Sequence, residues 1–122
     1  MKRLMVAPLA LFLLAASPPL PKNVKIGADD YPEAARAAGV EGDVRFTLAI
    51  DAKGRVSDCT VTASTDAALA AGTCAVARER WRYDPARDDA GAKVPGTAAY
   101  SIAWRIILPC PKPDGETLCV FL

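Results

Sequence analysis

At 122 residues the chain has room for one domain with a modest core, so covalent staples would add useful stability. Fifteen Lys and Arg against fourteen Asp and Glu leave a net charge of +1, without the basic excess by which nucleic-acid binders displace counterions, and no nucleic-acid partner is expected. The sequence contains no His, which removes the commonest general base, the usual zinc ligand and the His-dependent triads together; no enzyme activity, cofactor or metal site is expected.

Residues 1–21 run as Lys2-Arg3, an apolar stretch from Leu4 to Ala16, then Ser17-Pro18-Pro19-Leu20-Pro21, the charged, apolar and small-residue order of an export signal, with cleavage expected after Ala16. As a helix the apolar stretch spans roughly 20 Å against a hydrocarbon core of ~30 Å, and Pro8 lies inside it. A short retained anchor is the alternative. All four cysteines, Cys59, Cys74, Cys110 and Cys119, fall in the exported part, and an even count in a small exported domain reads as disulfides. Sequential pairing is the simplest connectivity. With no Cys-x-x-Cys and no His, the cysteines read as structural rather than zinc-binding or redox-active.

Residues 22–30 read as a short extended lead, and Pro18 to Lys25 is proline-rich and polar. Asp29 or Asp30 is placed to cap a short Ala-rich helix over 32–38, opened by Tyr31-Pro32 and stopped by Gly39. From Asp43 to Asp51 the chain alternates, with Val44, Phe46, Leu48 and Ile50 on one face, which predicts a half-buried strand. Asp51-Ala52-Lys53-Gly54 supplies a turn, and Arg55 to Ala63 a second strand, so a hairpin follows. Val56, Cys59 and Val61 share no face without a shift of register, which predicts a bulge near Asp58.

Ser64-Thr65-Asp66 offers caps for a helix from about Ala67 to Arg82, along which Leu69, Thr73, Ala77 and Trp81 form an apolar stripe toward the hairpin. A Cys59–Cys74 bridge would tie strand to helix. Ala86 to Gly96 reads as a charged loop, and a third strand is expected from about Thr97 to Ile107, with Tyr100, Ile102, Trp104 and Ile106 alternating against Ser101, Ala103 and Arg105. The domain is bounded at 31–108, with a tail over 109–122 that a Cys110–Cys119 disulfide would close as a loop.

The succession Tyr31-Pro32, Gly42-Asp43-Val44, Ile50-Asp51 with Gly54-Arg55-Val56, Arg80-Trp81-Arg82-Tyr83-Asp84-Pro85-Ala86, and a last strand through Trp104 resembles the C-terminal domain of TonB energy transducers. The resemblance implies an α+β, two-layer fold: short helix, β-hairpin, helix and third antiparallel strand. It also implies a periplasmic domain that adds the TonB box of outer-membrane TonB-dependent receptors to its sheet, in service of energy-dependent import of iron chelates or similar cargo. The partner-binding residues it implies are Tyr100, Ser101, Ile102, Ala103, Trp104 and Arg105 on the last strand, with Tyr31 and Pro32 as a second contact. Ser101 and Arg105, facing away from the core, would adjust specificity.

The sequence departs from full transducers in having few residues between the apolar segment and Tyr31. A retained N-terminus would anchor the domain in the inner membrane beside a motor complex. The alternative function is a structural or self-pairing module, including a homodimer through the free edge, without motor coupling. Trp81, Tyr83 and Trp104 read as core rather than as stacking platforms. Arg78, Arg80, Arg82 and Arg87 read as solvated cations near a helix end, and Asp84, Asp88 and Asp89 as turn residues rather than a cation site.

Overall fold

The computed structural model of the protein describes residues 16–106 and 117–121. In chain order the elements are β1 (Leu20–Asn23), a 3-10 turn (Ala28–Asp30), α1 (Glu33–Ala38), β2 (Gly42–Ile50), β3 (Val56–Ser64), α2 (Ala67–Arg80), β4 (Arg82–Asp84), β5 (Ala86–Arg87), β6 (Lys93–Val94), β7 (Gly96–Arg105) and β8 (Thr117–Phe121). The main sheet has the order β3-β2-β7-β8; β2 pairs antiparallel with β3 and β7, and β8 lies parallel to β7. Helices α1 and α2 complete the α+β fold.

The alternation of β2 turns Val44, Phe46, Leu48 and Ile50 into the core while Asp43 and Arg45 face solvent. At the hairpin tip the Asp51 carboxylate accepts from the Lys53 and Arg55 amides, both at 2.9 Å. These bonds to the charged form hold its pKa below the ordinary value, the Arg55 amide contributing most. Gly54 closes the turn at φ +86°, where a side chain would also run into the Tyr83 carbonyl. The hairpin register shifts between the Arg45 and Phe46 pairs and between the Ala49 and Ile50 pairs. The second shift leaves Ser57 unpaired, one residue from the bulge expected near Asp58, and the first leaves Thr62 unpaired.

Asp66 caps α2 by accepting from the Leu69 amide at 3.0 Å, and Leu69, Thr73 and Ala77 line its buried face. The Cys59–Cys74 disulfide, 5.7 Å between Cα atoms, fastens this helix to β3. The expected continuation to Arg82 is corrected: α2 ends at Arg80, Trp81 is extended with ψ 140°, and Arg82–Asp84 forms β4. Trp81 keeps its place under the sheet because its indole N–H finds the Lys25 carbonyl at 2.9 Å.

The extended lead is likewise engaged by the domain. Leu20, Pro21 and Asn23 pair with Asp84, Tyr83 and Arg82, Ser17 exchanges backbone hydrogen bonds with Arg87, and Pro19 is buried near Gly96. The loop expected over 86–96 contains a short ribbon, Ala86 opposite Val94 and Arg87 opposite Lys93. Its turn is stapled by Asp88, whose carboxylate accepts from the Ala90 and Ala92 amides. Asp30 does not cap α1; it accepts from the Gly27 amide inside the 3-10 turn, and Pro32 stands at the helix N-cap without a side-chain bond.

The core gathers Phe46, Trp81, Tyr83 and Tyr100 on one side and Tyr31, Trp104 and Leu69 on the other. The indole of Trp104 donates to the Thr73 hydroxyl at 3.0 Å, and that hydroxyl donates to the Leu69 carbonyl at 2.8 Å. Tyr83 and Tyr100 join through their hydroxyls at 2.9 Å, and burial, with this bond, raises the Tyr83 pKa. No helix among the described residues is long and apolar enough to cross a membrane. The expected signal or anchor falls mostly on residues 1–15, and Cys110 on residue 110, all outside the described residues.

Candidate functional site

Strand β7 is fixed along its inner side by β2, with Val44 opposite Ile102, Asp43 opposite Ala103 and Gly42 opposite Trp104. Ile102 and Trp104 are fully buried against the helices, and Ala103, on the opposite face, is buried as well. The C-terminal end of the strand is clamped from β2 and the residue before it. The Arg105 guanidinium donates to the Gly42 carbonyl and to the Trp104 carbonyl, each at 3.0 Å, and pairs with Asp43 at 2.9 Å. The Ile106 amide donates to the Glu41 carboxylate at 2.7 Å.

Arg105 was expected to project toward a partner and adjust specificity. Its side chain is only 18% exposed and makes these bonds, which hold the strand end. Ser101 shares its face and is half-buried. Tyr31 and Pro32 lie on the helix-covered face of the sheet. Tyr31 meets Trp104 edge-on at 5.2 Å between ring centroids and donates from its hydroxyl to the Val40 carbonyl at 2.6 Å. Burial, with the Glu41 charge second, raises the pKa of that hydroxyl. Pro32 packs against α2 at Gly72. Tyr31 thus supports the strand from beneath, one layer removed from its edge.

The outer side of β7 carries β8. Ser101, Ile102, Ala103, Trp104 and Arg105 pair in parallel with Thr117, Leu118, Cys119, Val120 and Phe121. Val120, level with Trp104, is 2% exposed, and Leu118, level with Ile102, packs against the core. Cys119 is level with Ala103 on the other face and is disulfide-bonded. Strand β8 lies within the tail that the sequence presents as a disulfide-closed loop. The alternating, β-rich run Thr117 to Phe121 after Pro113 and Gly115 was the signal available for a strand. Toward its start, Gly96–Tyr100, the outer side of β7 has no strand partner among the described residues.

The charged side chains around α2 are locally engaged rather than gathered into a patch: Arg78 pairs with Asp58, Arg80 with Asp30, and Arg82 donates to the Trp81 carbonyl. Among the described residues no group of acidic and Cys side chains is arranged to hold a metal ion. The chemistry at this edge is therefore backbone hydrogen bonding with two apolar positions, suited to an extended segment.

The model of the family described as Gram-negative bacterial TonB protein C-terminal matches residues 28–106, which spans the folded core from the 3-10 turn to the end of β7. Protein TonB of Klebsiella aerogenes is 34% identical over 71 residues, covering 58% of this chain and 29% of that protein. The chain thus corresponds to under a third of the relative's length. With more than half of its residues matched, in an order that the hairpin, α2 and β7 reproduce, the chain belongs to the TonB C-terminal domain family.

Proposed function

We propose that this is a non-enzymatic periplasmic domain that binds extended segments, the TonB boxes of outer-membrane TonB-dependent receptors, by strand addition at the outer side of β7. The observation that carries this reading is that the edge already takes an extended segment: β8 lies along Ser101–Arg105 in parallel alignment. Partners with an apolar residue at alternate positions, as Leu118 and Val120 are, match what the core accepts there. Coupling of such binding to energy-dependent transport belongs to a larger assembly than this chain, including an inner-membrane motor complex if the N-terminus is retained.

The test is an NMR titration of the oxidised exported chain, beginning at Ser17, with TonB-box peptides from receptors of the same cell. Shifts concentrated over β7 support the reading, and a titration that stays flat at millimolar peptide both for this chain and for a chain ending at Ile106, which lacks β8, refutes it. A second reading, a structural or self-pairing module without motor coupling, is favoured by one feature. Pairing of Ser17 and of Leu20–Asn23 to the domain consumes the residues that would otherwise serve as a tether. Gel filtration across a concentration series tests its homodimer form, which predicts a doubling of mass.

A further inference from the structure

We propose that β8 is a built-in competitor for the β7 edge, and that the disulfide on Cys119 sets how readily it gives way. The inference rests on the edge-binding reading above. An incoming parallel strand and β8 claim the same outer backbone groups over Ser101–Arg105, so they cannot both be satisfied there. The release costs the burial of Val120 and part of Leu118, a small apolar area beside that of the sheet core. β8 is therefore the least expensive strand of the sheet to displace.

Cys119 sits in the middle of β8, level with fully buried Ala103, and is disulfide-bonded, while Cys59 and Cys74 are bonded to each other. As part of the same proposal we take Cys110, the remaining cysteine of the sequence, as the partner of Cys119, a pairing that would close a ring over 110–119. Such a ring restricts the conformations that a detached tail can explore and so favours the docked strand. In the chain-entropy description, opening a ring of this length releases up to about a hundredfold in the docking equilibrium. Cys119 is half-buried, so a reductant has access to the sulfur once the strand frays.

Opening requires a dithiol reductant. Its thiolate attacks one sulfur of the Cys110–Cys119 bond and forms a mixed disulfide. Its second thiol then displaces the protein sulfur, leaving two thiols on this chain and a disulfide on the reductant. Two electrons and two protons pass to the tail. Oxidised chain holds its edge covered; reduced chain offers it.

Because reduction would also open Cys59–Cys74, the test uses C110S/C119S and a chain ending at Ile106, each compared with the oxidised parent. Amide hydrogen exchange over Ser101–Arg105 is read first, without any ligand. The expected result is exchange about tenfold to a hundredfold faster in C110S/C119S, with peptide affinity rising by a similar factor and at least as much in the truncated chain. Unchanged exchange at Ser101–Arg105 in C110S/C119S overturns the proposal whatever the peptide does. Equal peptide affinity in all three proteins also overturns it while leaving edge binding intact. Faster exchange with no peptide binding in any of the three sinks the edge-binding reading itself, and the gating role with it.

Discussion

Thr73 is the buried polar residue of the core, and its hydroxyl stands between two partners: it accepts from the Trp104 indole at 3.0 Å and donates to the Leu69 carbonyl at 2.8 Å. Substituting Thr73→Val keeps the shape and removes the hydroxyl. The Leu69 carbonyl loses little, since the helix already satisfies it, but the Trp104 N–H is left without an acceptor at a site with no solvent. An unsatisfied buried donor costs about 1 to 3 kcal/mol. With a urea dependence of about 1.5 kcal/mol per molar, a loss of about 2 kcal/mol lowers the unfolding midpoint by roughly 1.3 M. Trp104→Phe removes the donor instead, and in the double variant neither group is orphaned. The summed single costs should therefore exceed the cost of the double by about 1 kcal/mol or more. Urea unfolding followed by far-ultraviolet circular dichroism, which does not depend on the lost indole, gives all four midpoints. A Thr73→Val cost below about 0.5 kcal/mol, or strict additivity, would refute the assignment of this hydroxyl as the acceptor that Trp104 needs.

Gly72→Ala should destabilise by about 1 to 3 kcal/mol, against the gain of helix propensity, because a Cβ there overlaps Pro32; thermal unfolding checks the sign. Replacing both Cys59 and Cys74 by Ser should cost about 3 kcal/mol, the chain-entropy value for a loop of this length, read from denaturant midpoints. The Asp51 carboxyl should titrate below the ordinary value in the folded chain, as followed by carbon-detected NMR. Since its folded pKa is depressed, its contribution is present above the ordinary aspartate range and is lost as pH falls through the folded pKa. Asp51→Ala should flatten that acid limb of the stability curve, and an unchanged limb would count against the turn bonds.

Much of the fold was legible because single residues carried single constraints. The period-2 run in β2, the cap at Asp66 and the stripe Leu69, Thr73, Ala77 each fix an element locally and appear where expected. The end of α2 was not legible, because Trp81 continues the helical spacing; what turns it out of the helix is the Lys25 carbonyl, distant in sequence. β4 and β1 escaped for a related reason: each is a short strand defined by the other, and neither alternates long enough to announce itself. At the site, the strand and its buried face could be read from Ile102 and Trp104, whereas the destination of Arg105 depended on Asp43 and Gly42 across the sheet. β8 was hidden by the prolines before it and by Cys110 and Cys119, whose spacing reads as a closed loop.

The attachment of residues 17–23 has a mechanical consequence. A load applied at residue 16 meets first the Ser17–Arg87 bridge, then the pairs of Leu20, Pro21 and Asn23, and then the Lys25–Trp81 bond, in series rather than together. Bonds loaded one at a time part at low force, and their release lengthens the connection by up to about 45 to 50 Å for residues 17–30 fully extended. Until this stretch has run out, the pull that reaches the main sheet and the disulfide-fastened α2 is limited to what these bonds can bear. Under such a load the stretch ahead of the core would yield first and lengthen in steps before the core pairings are tested.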